Sequence, residues 1–208
     1  MNFRIQTGHP VALESYDHLY PLGTIQDNHS NSTLVQKLKE LKVETLLDIG
    51  CAGGGFVEEL LENGIQAVGI EGSDISQKMG RAAWGRIPEN LFTADVTKPF
   101  TIYKTELTIK FNVITAWEFF EHILEEDLWQ LFYNIRVHSK LGTLLICSIA
   151  NFPSPHQGVD LHRTQKDLDF WLKTFEKYGF DRDEEIEKFL EGNYVRYGSY
   201  NLVLRRNR

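Results

Sequence analysis

TLLDIGCAGGGFVEELLENG, residues Thr45 to Gly64, holds three kinds of local pattern in succession. An apolar run, Leu46 and Leu47, closes in Asp48-Ile49-Gly50. Small residues follow at Gly50, Ala52, Gly53, Gly54 and Gly55. Phe56, Val57, Leu60 and Leu61 then recur at helical spacing, and Asn63-Gly64 is a helix stop. Strand, glycine loop and helix in this order make the local grammar of a nucleotide site. Without Cβ atoms the backbone turns sharply and comes close to a ligand. The helix N-terminus adds free N–H groups and a partial positive charge. A glycine-rich turn without a ligand is the plain alternative.

The loop alone does not name the ligand. Gly50, Ala52 and Gly55 loosely fit the dinucleotide fingerprint, with alanine at its second glycine. Asp48 weighs against that ligand, because a carboxylate just ahead of the loop repels a pyrophosphate and pairs with an ammonium. S-adenosylmethionine carries an ammonium and a sulfonium and no phosphate. Here the stretch resembles motif I of the class I S-adenosylmethionine-dependent methyltransferases, an acidic residue followed by G-x-G-x-G. Asp48-Ile49-Gly50-Cys51-Ala52-Gly53-Gly54 departs from it only in Ala52, which replaces the middle glycine. The resemblance implies that Asp48, Gly50, Cys51, Ala52, Gly53 and Gly54 contact the cofactor.

Ala67-Val68-Gly69-Ile70-Glu71-Gly72 reads as a second strand. Glu71 lies about 20 residues beyond Gly50, the separation that brings a carboxylate beside the first loop of a βαβ unit. There Glu71 would accept hydrogen bonds from ribose hydroxyls, with Gly72 beside it, as the resemblance also implies. The plain reading is a solvated strand-end glutamate. A helix is expected from Ser76 to Trp84, and a third strand from Asn90 to Val96. The resemblance gives Asp95 the adenine amino group and Val96 the ring; the alternative is an Asp that opens a turn with Thr97 and Pro99. Thr101 to Lys110 reads as a polar connector, and Phe111 to Trp117 as a fourth strand. Its end, Ala116 and Trp117, is expected against the cofactor at the topological switch point.

Glu118-Phe119-Phe120-Glu121-His122 follows directly. If a helix starts at Glu118, then Glu118, Glu121 and His122 share one face. They are the candidate catalytic residues. An imidazole with a pKa of about 6.5 serves as a base near neutrality. Two carboxylates and an imidazole also suit a divalent metal, with His162 or His156 from the next loop as a further ligand. The E-x-x-E-H pattern resembles two branches of the superfamily. One is the ubiquinone-pathway O-methyltransferases; the other is the small-RNA 3′-terminal 2′-O-methyltransferases, where these residues and a later histidine bind metal. A structural histidine is the third reading. Trp117, Phe119 and Phe120 suit either an apolar acceptor pocket or plain core.

Gly142 to Ala150 is a fifth strand, apolar enough to be buried on both faces. Thr164 and Asp167 resemble a capping box ahead of a helix carrying Leu168, Trp171, Leu172, Phe175 and Tyr178. Phe180 opens a sixth strand, Ile186, Phe189 and Leu190 a short helix, and Tyr200, Leu202 and Leu204 a last strand. Alternating strands and helices give an open α/β sheet. The link between the last two strands is too short for a helical crossover, so they should run antiparallel. The resemblance implies a Rossmann-like, mainly parallel seven-stranded sheet with helices on both faces and an antiparallel C-terminal strand.

Residues 1–30 are expected to form an extended or turn-rich arm, either a surface tail or a lid over the cofactor; residues 31–208 form a single domain. The 208 residues carry a net charge of -7, which argues against a large nucleic-acid footprint. Cys51 and Cys147 lie in apolar runs and read as buried thiols of a reducing compartment. MNFRIQTGHP has no apolar signal core, and no run spans a membrane. A cytoplasmic enzyme is expected, moving the methyl group of S-adenosylmethionine to a small-molecule acceptor, most readily a hydroxyl oxygen. The rivals are a metal-dependent RNA 2′-O-methyltransferase, a non-catalytic S-adenosylmethionine-binding partner subunit and a nicotinamide oxidoreductase. Asp48 and the lack of a substrate domain oppose the last.

Overall fold

The computed structural model describes residues 3–208; Met1 and Asn2, part of the expected arm, lie outside the described residues. The chain runs β1 (Phe3–Thr7), α1 (Tyr16–Leu19), α2 (Leu22–Gln26), α3 (Ser32–Glu40), β2 (Thr45–Ile49), α4 (Gly55–Glu62) and β3 (Gln66–Glu71). It continues through α5 (Ile75–Lys78), β4 (Leu91–Thr93), β5 (Phe100–Lys104), β6 (Leu107–Thr108), β7 (Phe111–Trp117), α6 (Leu128–Val137) and β8 (Ser139–Ala150). It closes with β9 (Pro155–His156), β10 (Val159–Asp160), α7 (Leu168–Lys177), β11 (Phe180–Arg182), α8 (Glu184–Leu190) and β12 (Ser199–Arg206).

Strand β2 has parallel partners on both sides, β3 and β7, which is why Leu46 to Ile49 are buried without alternation. The seven-stranded sheet has the order β11-β12-β8-β7-β2-β3-β4. Only β12 runs against its neighbours, β8 and β11. The expected architecture is therefore present. Successive side chains point to opposite faces, so Leu46 and Leu47 enter different cores. Leu46, Val113, Ile146 and Val203 pack with Leu34, Val35 and Leu38 of α3, with α4 and with Leu190 of α8. Leu47, Ile114, Cys147 and Leu202 pack with Leu131 and Phe132 of α6 and Trp171 and Phe175 of α7.

Four expectations need correction. The helix expected over Ser76–Trp84 is two pieces, α5 and a 3-10 turn at Ala82–Gly85. Gly80, at φ +57, breaks it, and the Ala83 N–H bonds the Gly53 carbonyl instead of continuing a helix. Thr101–Lys110 is no bare connector. Phe100 and Ile102 turn inward on β5, which pairs with β6 and with β1 in a separate three-stranded sheet. Its alternation was the overlooked signal. The third strand is short: β4 stops at Thr93, before Asp95. Thr164 is not a cap, since its hydroxyl donates to the Ile123 carbonyl while Asp167 alone caps α7 by accepting from the Phe170 N–H.

The N-terminal residues pack on the sheet rather than trail from it. The Ala12 N–H bonds the Gly72 carbonyl, and the His9 carbonyl accepts from the Asp95 N–H. Arg81 donates to the Thr24 and Asp27 carbonyls at 2.5 and 2.6 Å. Among the described residues no helix is long and apolar enough to cross a membrane.

Candidate active site

The carboxyl ends of β4, β3, β2 and β7 lie side by side. That edge collects Asp95 and Val96, Glu71 and Gly72, Asp48 with the glycine loop, and Ala116 with Trp117. Chain order thus becomes a row of neighbouring positions along one edge of the sheet, and Asp48 and Glu71 end adjacent strands of it.

The loop is tight. Gly50 has φ +77, and a Cβ there would sit 2.7 Å from Cδ2 of Phe119. A Cβ on Gly53 would collide with the Asn28 amide. Ala52, standing where the motif has glycine, keeps φ +44 at a cost of roughly 1–2 kcal/mol. Two contacts hold it: its N–H donates to Glu71 Oε2 at 2.9 Å, and its carbonyl accepts from the Trp84 indole at 2.8 Å. The loop ends at the N-terminus of α4, where Gly54 offers no side-chain cap and leaves N–H groups free.

Glu71 is buried and accepts three hydrogen bonds, from Ala52 N–H, Ser73 N–H and the Thr24 hydroxyl of the arm. Burial raises its pKa, and the backbone donors at Ser73 and Ala52 work against that rise. Asp95 Oδ1 accepts from the Thr97 N–H and hydroxyl, so one oxygen closes a turn of the kind the plain reading anticipated.

Asp48 is fully buried. Its Oδ1 accepts from the Thr115 hydroxyl at 2.6 Å, while Oδ2 has no partner. Burial pushes its carboxyl up to about 6; the positive side of His29 and the Thr115 bond pull the other way. A carboxyl whose folded pKa exceeds its unfolded value holds its proton where the unfolded chain has released it. Its stabilising effect is therefore complete below the unfolded pKa of 3.8 and is lost as pH rises to about 6. Asp48→Asn, which keeps an acceptor for Thr115, should match the unsubstituted protein near pH 4. It should be the more stable form above pH 6, by up to about 3 kcal/mol. Unfolding curves of both forms across this range check the sign, and a gap independent of pH would contradict it.

Beyond β7 the expected helical face does not form. Glu118 has φ +47, and only Phe120–His122 make a 3-10 turn. Glu118 accepts from the Ser199 hydroxyl at 2.5 Å. Among the described residues, ligand atoms of Glu121, His122 and His162 lie within 4.8 Å of one another, and neither Glu118 nor His156 joins them. His156 instead meets Tyr20 edge to face. The β8–α7 loop brings in His162, as one of the two loop histidines was expected to do, while Glu118 stays out of the cluster.

Glu121 is fully buried. Its Oε1 accepts from the Ala150 N–H at 2.8 Å and its Oε2 has no partner. Burial pushes its carboxyl up to about 7, with His122 opposing. His162 Nδ1 meets the Phe152 carbonyl, and burial lowers this histidine's pKa. His122 Nδ1 lies 3.0 Å from Asp17 Oδ1 on the arm, an ion-pair distance without hydrogen-bond alignment. Burial works against a proton on His122, but Asp17, Glu121 and Glu118 outweigh it and raise its pKa. Asp17, Thr24 and His29 reach the site only through folding of the arm. No periodicity or motif in residues 1–30 marks them.

The sequence matches the methyltransferase domain family over residues 25–193, and the chain belongs to that family. It is a class I S-adenosylmethionine-dependent methyltransferase, an enzyme whose cofactor is S-adenosyl-L-methionine. No curated protein sequence matches it. Similar solved structures include a methyltransferase from Archaeoglobus fulgidus, 17% identical, with a TM-score of 0.56, covering 91% of this chain and 99% of that one. An amino pentose methyltransferase from Micromonospora echinaspora with bound S-adenosylmethionine is 13% identical, with a TM-score of 0.61, covering 92% and 96%. Magnesium protoporphyrin IX methyltransferase from Synechocystis with bound S-adenosylhomocysteine is 16% identical, with a TM-score of 0.56, covering 92% and 94%. At these identities the likeness is one of fold. The residues present fit the cofactor: Asp48 keeps a buried oxygen without a partner, which suits an ammonium, and the backbone at Gly50, Gly53 and Gly54 leaves no room for a Cβ.

Proposed function

We propose that this enzyme methylates a hydroxyl oxygen of a small-molecule acceptor. The observation that carries the reading is the cluster of Glu121, His122 and His162 just past β7. Asp48 would take the cofactor's ammonium, Glu71 the ribose hydroxyls, and Asp95 with Val96 the adenine. Gly50 to Gly54 and Gly72 would give the backbone close approach, with Ala116 and Trp117 closing the far side. When bound, the cofactor supplies an electrophilic methyl group whose bonding pair leaves with the sulfur. The acceptor oxygen forms the new bond to carbon and gives up its proton. His122 would take that proton, directly or through Glu121, whose carboxyl is pushed up to about 7 by burial. Glu118 would shape the charge around them.

The same three ligands could hold a divalent cation, as the unpartnered Glu121 oxygen suits a metal. Such an ion would lower the acceptor's hydroxyl pKa and orient it. Metal-assisted RNA 2′-O-methylation is the second reading; the cluster favours it and the net charge of -7 opposes it. The described part of the arm, residues 3–30, would act as a lid in this account, because Thr24 bonds Glu71 and Asp17 meets His122. The unbridged, buried Cys51 and Cys147 fit a reducing, cytoplasmic setting.

The test is an acceptor panel of phenols, sugars, amines and a short RNA. S-adenosylhomocysteine release is followed with and without Mg²⁺ or Mn²⁺. Turnover of hydroxyl acceptors, lost in His122→Ala, is expected. Turnover of amines alone would overturn the oxygen reading. Metal dependence that disappears in His162→Ala, together with RNA turnover, would promote the second one. Cofactor binding with no turnover of any acceptor would favour a non-catalytic subunit.

A further inference from the structure

The segment before α3 and the turn before β12 meet over Trp117 and enclose a cavity of about 60 Å³. His29, Phe56, Trp117 and Arg196 are among its walls. His29 stacks on Phe56 at 5.8 Å and stands edge-on to Trp117 at 6.4 Å. Its Nδ1 lies 3.1 Å from Asp27 Oδ2, which leaves Nε2 buried and without a partner. The Trp117 indole N–H is also buried and without a partner. Arg196 sits with its guanidinium carbon 6.0 Å from the Trp117 ring centre. Asn201 clamps the Arg196 backbone on both sides, accepting from its N–H at 2.6 Å and donating to its carbonyl at 2.9 Å. Among the described residues the Arg196 guanidinium has no carboxylate at ion-pair distance, unlike Arg205 and Arg182 nearby in sequence.

One side of this place is therefore rich in donors that have no acceptor. Asp48 supplies the complementary lack: a buried carboxylate oxygen with no donor, under the influence of both His29 and Arg196. Buried polar atoms are rarely left unpaired, and a group of them around one cavity marks a ligand's own polar atoms. The ligand that satisfies both sets carries an anion and a cation a few bonds apart, which is an amino acid zwitterion. The cofactor ends in one.

We propose that His29, Trp117 and Arg196 receive the α-carboxylate at the methionine end of the cofactor, opposite Asp48, which takes its ammonium. This rests on the cofactor assignment and adds the carboxylate's partners to it. His29 stands between Asp27 and the ligand, one ring nitrogen toward each, so the arm contributes to affinity. Arg196 brings in the turn before β12, far in sequence from the glycine loop. The site then discriminates among adenosine derivatives by the presence of a carboxylate.

The experiment compares two probes by calorimetry: S-adenosylhomocysteine, and its decarboxylated analogue, which keeps the ammonium and lacks the carboxylate. The unsubstituted protein should prefer the first by about ten-fold or more, the usual worth of a charged hydrogen bond or two. Arg196→Ala and His29→Ala should each weaken S-adenosylhomocysteine by about ten-fold while leaving the analogue within about two-fold. Arg196→Lys should recover part of the preference. Binding of the analogue shows that each variant is folded. Parallel weakening of both probes, or an unchanged preference in Arg196→Ala, would overturn the proposal and leave the cofactor assignment standing. Failure of the unsubstituted protein to bind either probe would overturn both.

Discussion

Glu71→Ala is expected to weaken S-adenosylhomocysteine binding by about a hundred-fold or more, because this carboxylate has two tasks. The first is recognition. In the proposed binding mode a ribose diol would give it two charge-assisted hydrogen bonds, each of about 1.5–3 kcal/mol. The second is internal. Glu71 Oε2 accepts from the N–H of Ala52, the residue at φ +44 inside the glycine loop. Its removal orphans that N–H and the one on Ser73, and it frees a strained turn. Ligand contact and loop shape are thus lost together. Glu71→Gln separates them: an amide oxygen still serves one backbone donor, so the loop is better kept while the charge is gone. Its loss should be smaller than that of Glu71→Ala. Calorimetry with S-adenosylhomocysteine measures both, and affinity within about three-fold of the unsubstituted protein in Glu71→Ala would show that this edge does not hold the ribose.

Trp171→Ala is expected to destabilise the protein by about 3–5 kcal/mol, the cost of removing a large aromatic side chain from a filled core. Trp171 is fully buried on the inner face of α7. Its ring meets Phe120 at 6.1 Å, Phe170 at 5.3 Å and Phe175 at 6.4 Å. Phe120 is the residue before Glu121, so the cavity would open beside the Glu121, His122 and His162 cluster. Trp171→Phe should cost much less. The indole N–H of Trp171 is buried without a partner, and phenylalanine removes that penalty while keeping most of the contact. Denaturant unfolding read as ΔG for the three proteins checks the order. Equal losses in the two variants would mean that the indole N–H is not the unsatisfied group it is here.

The sheet was legible because its signals are local. Leu46 and Leu47, Ala67 to Ile70 and Leu144 to Ala150 are apolar runs of strand length, each bounded by turn residues. Glu71 was legible by spacing, since a βαβ unit fixes where the second strand ends relative to the first loop. His122 and Glu121 stood out as candidates because they follow a strand at the switch point, and the fold keeps the two together. Of the two companions named for the pair, His162 joins it and Glu118 does not, for a physical reason. Helical spacing was assumed from Glu118, but its positive φ turns the chain and sends its carboxylate to Ser199. The vacant place in the cluster falls to His162, which a loop brings in from beyond β8. The approach of Asp17, Thr24, His29 and Arg196 to this edge was not legible in the sequence. Each sits in a segment without periodicity, and only tertiary packing of the arm and of the turn before β12 carries them to the edge.

The central claim is that this edge of the sheet binds S-adenosylmethionine through Asp48 and Glu71. The most direct measurement is a calorimetric titration of the unsubstituted protein with S-adenosylmethionine, S-adenosylhomocysteine and NAD side by side. Saturable one-to-one binding of both sulfur ligands, with none of NAD, is the expected result, since buried Asp48 favours an ammonium and repels a pyrophosphate. Binding of NAD, or no binding of either sulfur ligand by folded protein, would contradict the account.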